Sequence, residues 1–550
     1  MATDLDARQT KLPPIVQGSA AKPPAATAPD TLVFCPPKFH QALKPWLDYR
    51  QKQGHRIAVA DPPKDSYTIR QTIKKQAKTG ALKTVVLVGD SGDARQKPDT
   101  LVPIDYVPAK VIRHFGGDPE IATDNTYADI DDDGSVDLAI GRMPVDTAEE
   151  LTQMVQRIIR YESDSQHGLW QRRVNFVAGV GGFGQMIDKI IESTTKGIIT
   201  DLIPADYETS MTYGSWRSPY CPDPRRFAET SISRFNEGCM FWVYIGHGAR
   251  HKLDKVYMPD QSHQILTCET CDQIEAAEGN PIAIFLACYT GANDDPQDCL
   301  AEEMLRRPKG PIAVIAGSRV TMPYAMSLMS LEMLNEFFEG DVQTLGELVK
   351  VSKQRMVNGS KNNPEYRNMI EGMGKAFSPK AELLEKERLE HVQLMQLLGD
   401  PLLRLQRPSK IKLQVAGKSD SGSPLTISGT SQDGNGKPIN GRVLVEVAYD
   451  RDRMRIRPPR RKEYDSSDAS FEEYQSTYQN AHRLVCASKT LDVVDGKFST
   501  ELKIPFDASG SCTVRAVLIS ERELAMGSAP VKIKKVSPPR TAEAGANKNK

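Results

Sequence analysis

Two stretches, Val243-Tyr-Ile-Gly-His-Gly248 and Ile284-Phe-Leu-Ala-Cys288, decide how this chain is read. Each is a short apolar run rich in aromatic and β-branched residues, the composition of a buried strand. Each run ends abruptly on a chemically capable residue, His247 or Cys288, 41 positions apart. If the two strands are parallel neighbours, their ends meet. An imidazole beside a thiol is the minimal machinery of a cysteine nucleophile. Gly246 and Gly248 remove side chains, which predicts close approach of a substrate backbone. The backbone amides of Gly248 and Cys288 are the candidate oxyanion hole.

Outward from this pair the pattern is strand and helix in alternation. Strands are predicted at Thr31–Phe34, Arg56–Ala60, Thr84–Val88 and Leu138–Ile140, with helices at Phe39–Gly54, Tyr67–Gly80 and Thr147–Glu162. The alternation restarts with a strand at Val174–Ala178, helices at Gln185–Leu202 and Pro224–Asn236, and the strands Phe241–Ile245, Ile282–Ala287 and Ile312–Ala316. Further helices are predicted near 325–338, 345–357 and 379–397. Such alternation implies a parallel α/β sheet, which places chemistry at the carboxyl ends of its strands. After Pro408 the pattern becomes all-β, with Thr/Val alternation and Gly/Asp/Ser turns over 410–536. Its charged insert at 451–482 is predicted to be a mobile hairpin loop. The expected divisions are a disordered tail 1–30, half-domains 31–165 and 166–408, a sandwich 410–536, and a disordered tail 537–550.

The 550 residues carry 71 basic and 71 acidic side chains, so no global charge points to a nucleic-acid or anionic-membrane partner. Nine cysteines are an odd, sparse set, several in apolar runs, which reads as free thiols. No apolar leader opens the chain and no run of about 18 apolar residues occurs, so a cytoplasmic location is expected.

Further motifs sit in order along residues 31–407: Val86-Leu-Val-Gly-Asp90, Asp124-Asn-Thr-Tyr-Ala-Asp-Ile-Asp-Asp-Asp-Gly134, Asp137-Leu-Ala-Ile-Gly-Arg-Met-Pro144 and Leu398-Gly-Asp-Pro401. With Tyr244–Gly248 and Ala287-Cys288, these resemble the gingipain family of cysteine peptidases. The resemblance implies an α/β fold with a caspase-like parallel-sheet peptidase unit in two half-domains. It also implies an all-β immunoglobulin-like sandwich directly after that unit. In such a family member Cys288 is the nucleophile and His247 its catalytic partner, acting on a peptide or protein substrate with no cofactor needed for the chemistry. The family supports its histidine with a glutamate in the loop that here reads Gly179-Val-Gly-Gly-Phe-Gly184 and holds no acid. A third catalytic member is therefore unassigned, and a catalytically silent scaffold or binding protein is the alternative. The family also places a specificity acid early in the following helix, where Asp188 and Glu192 are the candidates for holding a basic side chain.

Three smaller motifs have independent readings. Gly179, Gly181 and Gly184 spell a G-x-G-x-x-G between strand and helix, a nucleotide-binding fingerprint whose acid at the right distance, Asp201, falls in a helix. Asp129, Asp131 and Asp133 before Gly134, with Asp137, form a candidate structural calcium loop that lacks the EF-hand glutamate. Cys268-x-x-Cys271 with His263 lacks a second ligand pair for zinc. The basic run Arg451–Lys462 lacks interleaved aromatics and reads as a solvated loop.

Overall fold

In the computed structural model, ten strands form one sheet. The structure describes residues 28–91, 99–163, 167–182, 192–193, 195–455, 458 and 460–537. Residues 1–27 and 538–550 of the expected tails, and residues 185–191 and 194 of the predicted helix 185–202, therefore lie outside the described residues. The strands are β1 (Thr31–Phe34), β2 (Ile57–Ala60), β3 (Thr84–Val88), β4 (Ala139–Met143), β5 (Arg173–Ala178), β6 (Glu208–Tyr213), β7 (Phe241–Ile245), β8 (Ile282–Leu286), β9 (Ala313–Gly317) and β10 (Met395–Leu398). Their order across the sheet is β2-β1-β3-β4-β10-β9-β8-β7-β5-β6.

All neighbours are parallel except β10 and β9. The two halves of the sheet thus run in opposite directions and join at that seam. Strands β3, β8 and β9 are buried at every position, as expected of parallel strands covered on both faces. The helix Ala148–Tyr161 packs its apolar stripe inward and starts with a reciprocal Thr147/Glu150 capping box.

The motifs shared with the gingipain pattern form the joints of this sheet. Arg142, wholly buried, donates to both Asp124 oxygens at 2.7 and 2.8 Å and to the carbonyls of Gly89 and Val102. Asp400 accepts from Arg50 at 2.6 Å and from Trp46 Nε1 at 2.5 Å, while Arg50 also grips Glu162 through two 2.8 Å bonds. A buried charge requires such pairing.

Residues 409–534 form an all-β unit with its own apolar core, including Val443, Val445, Val514 and Leu518. Its insert differs from the predicted mobile loop: Asp468–Ala481 is a helix, with Phe471, Tyr474 and Tyr478 buried. The spacing of those three aromatics at positions i, i+3 and i+7 is a helical stripe that the surrounding charge obscures. The insert packs against edge strand β6: Tyr478 Oη bonds Thr212 Oγ1 at 2.8 Å, and His482 Nε2 accepts from the Met211 amide at 3.1 Å. Arg451, read as part of a solvated loop, donates instead to the carbonyls of Ile199, Ile203, Pro204 and Tyr207.

Candidate active site

The register between β7 and β8 pairs Phe241 with Ile282 and continues to Ile245 with Leu286. This offset of 41 is also the separation of His247 from Cys288, so the pair continues the register two positions beyond the strand ends. The Gly246 amide extends the ladder to the Leu286 carbonyl at 3.3 Å. Neighbouring parallel strands lie about 4.8 Å apart, which sets the scale of the approach. Both residues line one cavity of about 320 Å³, walled by Met211, Val243, Ile284, Leu286 and Met326 among others. Cys288 is partly exposed and His247 exposed.

One described contact of the His247 ring is to a backbone atom. Its Nε2 lies 2.5 Å from the carbonyl oxygen of Gly181. A carbonyl only accepts, so Nε2 carries a proton in this contact. The acid-free glycine loop therefore meets the histidine directly, and Gly182 takes the left-handed turn beside it at φ +68°. Tyr244 holds the other side: its buried hydroxyl donates to the His247 carbonyl at 2.9 Å.

The flanking glycines also have a reason within the protein itself. A Cβ at Gly246 would sit 2.7 Å from Tyr244 Oη, and one at Gly248 would sit 2.7 Å from the Cys288 carbonyl oxygen. They admit the protein's own backbone and tyrosine. Cys288 is followed by Tyr289 at φ 59°, a left-handed conformation uncommon outside glycine. Its amide is anchored to the Arg319 carbonyl at 3.0 Å. Arg250 stacks on the Tyr289 ring at 4.6 Å.

Cys288 differs from most of its fellow thiols. All nine cysteines are free, and Cys35, Cys221, Cys239, Cys271, Cys299 and Cys512 are buried. Burial pushes Cys35, Cys221 and Cys268 up to about 12, which suppresses their thiolates.

Of the two specificity candidates, Asp188 lies outside the described residues. Glu192 is exposed and lines the cavity, as does Lys196. The candidate cation loop gathers three of its four acids: oxygens of Asp129, Asp131 and Asp137 come within 4.8 Å of one another. Asp133 turns instead to cap the Ser135 amide at 2.7 Å. Buried Asp129 Oδ1 has no hydrogen-bond partner among the described residues, and burial raises Asp129 and Asp137 above the usual carboxylate range. Those donors fit a hard cation.

For the nucleotide fingerprint, Gly184 lies outside the described residues. The Gly179 amide is committed to the Ile245 carbonyl at 3.0 Å, and Asp201 bonds the Tyr366 hydroxyl within the final helical turn. Cys268 and Cys271 sit on a short 3-10 helix, and the described residues hold no Cys/His metal cluster there. Among the described residues no helix is long and apolar enough to cross a membrane.

A parallel sheet whose adjacent strand ends carry a histidine and a partly exposed cysteine over one cavity is the arrangement of a cysteine-peptidase α/β unit. The model of peptidase family C25 matches residues 24–406, and the chain belongs to that family. Its sequence is similar to Lys-gingipain of Porphyromonas gingivalis, 24% identical over 303 residues, covering 52% of this chain and 15% of the relative. A second form, Lys-gingipain HG66 of the same organism, is 24% identical over 306 residues with the same coverage. The chain thus spans a small part of the curated relatives' length. Its fold is similar to a complex of Porphyromonas gingivalis RgpB pro- and mature domains, at TM-score 0.50 and 17% identity, covering 92% of this chain and all of that one. It is also similar to a structure titled simply as a protease, at TM-score 0.52 and 16% identity, covering 91% and 96%.

Proposed function

We propose that this chain is a cysteine endopeptidase that cleaves peptide bonds through Cys288. The Sγ attacks the scissile carbonyl, the tetrahedral oxyanion takes donors from the Gly248 and Cys288 amides, and collapse forms an S-acyl thioester. His247 withdraws the thiol proton and gives it to the departing amine. Water then attacks the thioester, releasing the acyl product and restoring the thiol. The observation that supports this reading is the register of the two strands, which runs on toward His247 and Cys288, together with the one cavity that both residues line.

Preference for cleavage after basic residues is part of the proposal. Its supports are Glu192 on the cavity wall and the name Lys-gingipain borne by the relatives. Structural calcium at Asp129, Asp131 and Asp137 is proposed on their clustering and the unpartnered Asp129 oxygen. The scaffold reading has one observation in its favour: the loop Gly179–Gly184 carries no acid where the family resemblance expects a glutamate to stabilise the imidazolium.

The experiment is a mixed peptide library incubated with wild type and Cys288→Ala under reducing, calcium-containing conditions, with cleavage sites read by mass spectrometry. Cleavage by wild type alone is expected. If both proteins leave the library intact, the scaffold reading replaces the enzyme. Cleavage only after uncharged residues would remove the basic preference.

A further inference from the structure

The segment leaving β9 brings Thr321 against the Cys288 sulfur. The Thr321 amide donates to Sγ at 3.4 Å, its hydroxyl lies 3.8 Å away, and Sγ lies 3.7 Å from the Thr321 carbonyl. Thr321 itself is buried. Two residues later the 17-residue helix Pro323–Glu339 begins. Its N-cap is Met322, which has no side-chain oxygen to cap the first turn.

Another element supplies the caps. The helix Leu384–Leu394 presents buried His391, whose Nε2 accepts from the Met322 amide at 2.8 Å. Glu387 on the same helix accepts from the Ala325 amide at 3.1 Å. His391 Nδ1 lies 2.8 Å from the Glu387 carbonyl, which only accepts. The ring proton is therefore on Nδ1, and Nε2 is free to take the Met322 N–H. Burial pushes His391 down to about 4, which keeps the ring neutral and accepting at neutral pH.

We propose that the Thr321 amide is the donor that stabilises the Cys288 thiolate, and that His391 is a positioning residue holding the Thr321–Met322 segment against the sulfur. This rests on the reading of Cys288 as nucleophile. A hydrogen bond is stronger when its acceptor is ionised, so the shorter amide contact favours the thiolate, against the longer one in which the thiol donates to the Thr321 carbonyl. The start of the long helix adds a partial positive charge on the same side. The device supplies ionisation of the nucleophile, which His247 alone would otherwise have to provide.

The test measures alkylation of Cys288 by iodoacetamide in the full chain, followed by peptide mass spectrometry. Thiolate sulfur displaces iodide, so the rate reports ionised, accessible thiol without requiring peptidase turnover. Wild type, His391→Phe and His391→Gln are compared at pH 7 and pH 10. His391→Phe removes the acceptor; His391→Gln keeps an oxygen near the position of Nε2. At pH 7, His391→Phe is expected to react about tenfold more slowly, the low end of what a hydrogen bond to a charged group contributes. His391→Gln stays within about threefold of wild type, the room its looser geometry leaves within one hydrogen bond. At pH 10, where solvent base ionises the thiol, the difference disappears.

If His391→Phe fails to fold, ester substitution of the Thr321 amide removes only the donor and is expected to give the same pH-selective slowing. Equal slowing at both pH values, or none in a folded variant, overturns the proposal. A wild-type Cys288 no faster than buried Cys35 would overturn the nucleophile reading itself. A fast Cys288 that ignores both substitutions removes only the Thr321 device.

Discussion

Gly248→Ala is the substitution whose effect the geometry fixes most tightly. An added Cβ would fall 2.7 Å from the Cys288 carbonyl oxygen, 2.9 Å from Thr290 Cγ2 and 3.0 Å from Ala287 Cβ. Ordinary contact begins at 3.4 Å, so one side must yield by about 0.7 Å. None of those neighbours is the end of a flexible side chain. Backbone conformation does not forbid alanine here, so the effect is purely one of packing. The displacement falls between the two residues proposed to react. A misplacement near 1 Å costs about a hundredfold in rate, so kcat is expected to drop by about 10²-fold. Overpacking of this size costs about 1–3 kcal/mol, which leaves the protein folded but lowers its melting temperature. The assay is initial-rate hydrolysis of the best library peptide, with thermal melting in parallel. Gly372→Ala, where the added Cβ meets nothing, is the control and keeps wild-type rates. Hydrolysis by Gly248→Ala within threefold of wild type would refute the reasoning that places His247 and Cys288 in one reacting unit.

Arg50→Met leaves Glu162 and Asp400 buried without their cation, and is expected to cost about 3–5 kcal/mol in urea unfolding; a loss below about 1 kcal/mol would mean the joint is dispensable. Acid destabilises through two buried histidines: His391 and His482 are each held down to about 4, so between pH 6.5 and 4 the unfolded chain binds their protons first and stability falls with pH. Glu387, pushed up to about 7, works the other way, because the folded form binds its proton first between pH 7 and 4.5. Glu387 shifts stability by about 2 kcal/mol between pH 7 and 5, so Glu387→Gln should lose about 2 kcal/mol more than wild type over that interval, and an unchanged slope would contradict these assignments. A chelator is expected to lower the melting temperature, with recovery on added calcium and no chelator response in Asp129→Asn; indifference of the wild type to chelator would show that the acid cluster holds no ion.

Much of the sheet was readable because β3, β8 and β9 are buried on both faces and must be continuous apolar runs. The pairing of His247 with Cys288 followed from two such runs ending on reactive residues. Other features depend on contacts that local pattern does not carry. Met395–Leu398 reads as the end of the helix predicted over 379–397, because Met, Gln and Leu are good helix formers. It becomes a strand because it fills the seam between β4 and β9. Strand β6, absent from the predicted elements, has the mixed burial of an edge strand. One contact of His247 is to a carbonyl, which every residue possesses and no motif marks. Thr321 lies 33 residues after Cys288 and acts partly through its amide, so its side chain gives no signal. The motifs shared with the gingipain pattern were visible, but Arg142, Asp124 and Asp400 prove to lock the sheet rather than to line the cavity.

The central claim is that Cys288 is a nucleophile toward acyl groups and depends on His247. The most direct measurement is intact-mass and peptide-level mass spectrometry after exposure to a library of peptidyl acyloxymethyl ketones, in wild type, His247→Ala and Cys288→Ala. One adduct per chain is expected, located on Cys288, formed at least tenfold more slowly in His247→Ala and absent in Cys288→Ala, in line with the ~10²–10⁴-fold contribution of a positioned base. Labelling confined to Cys268 or Cys486, or labelling of Cys288 at the same rate without His247, would contradict it.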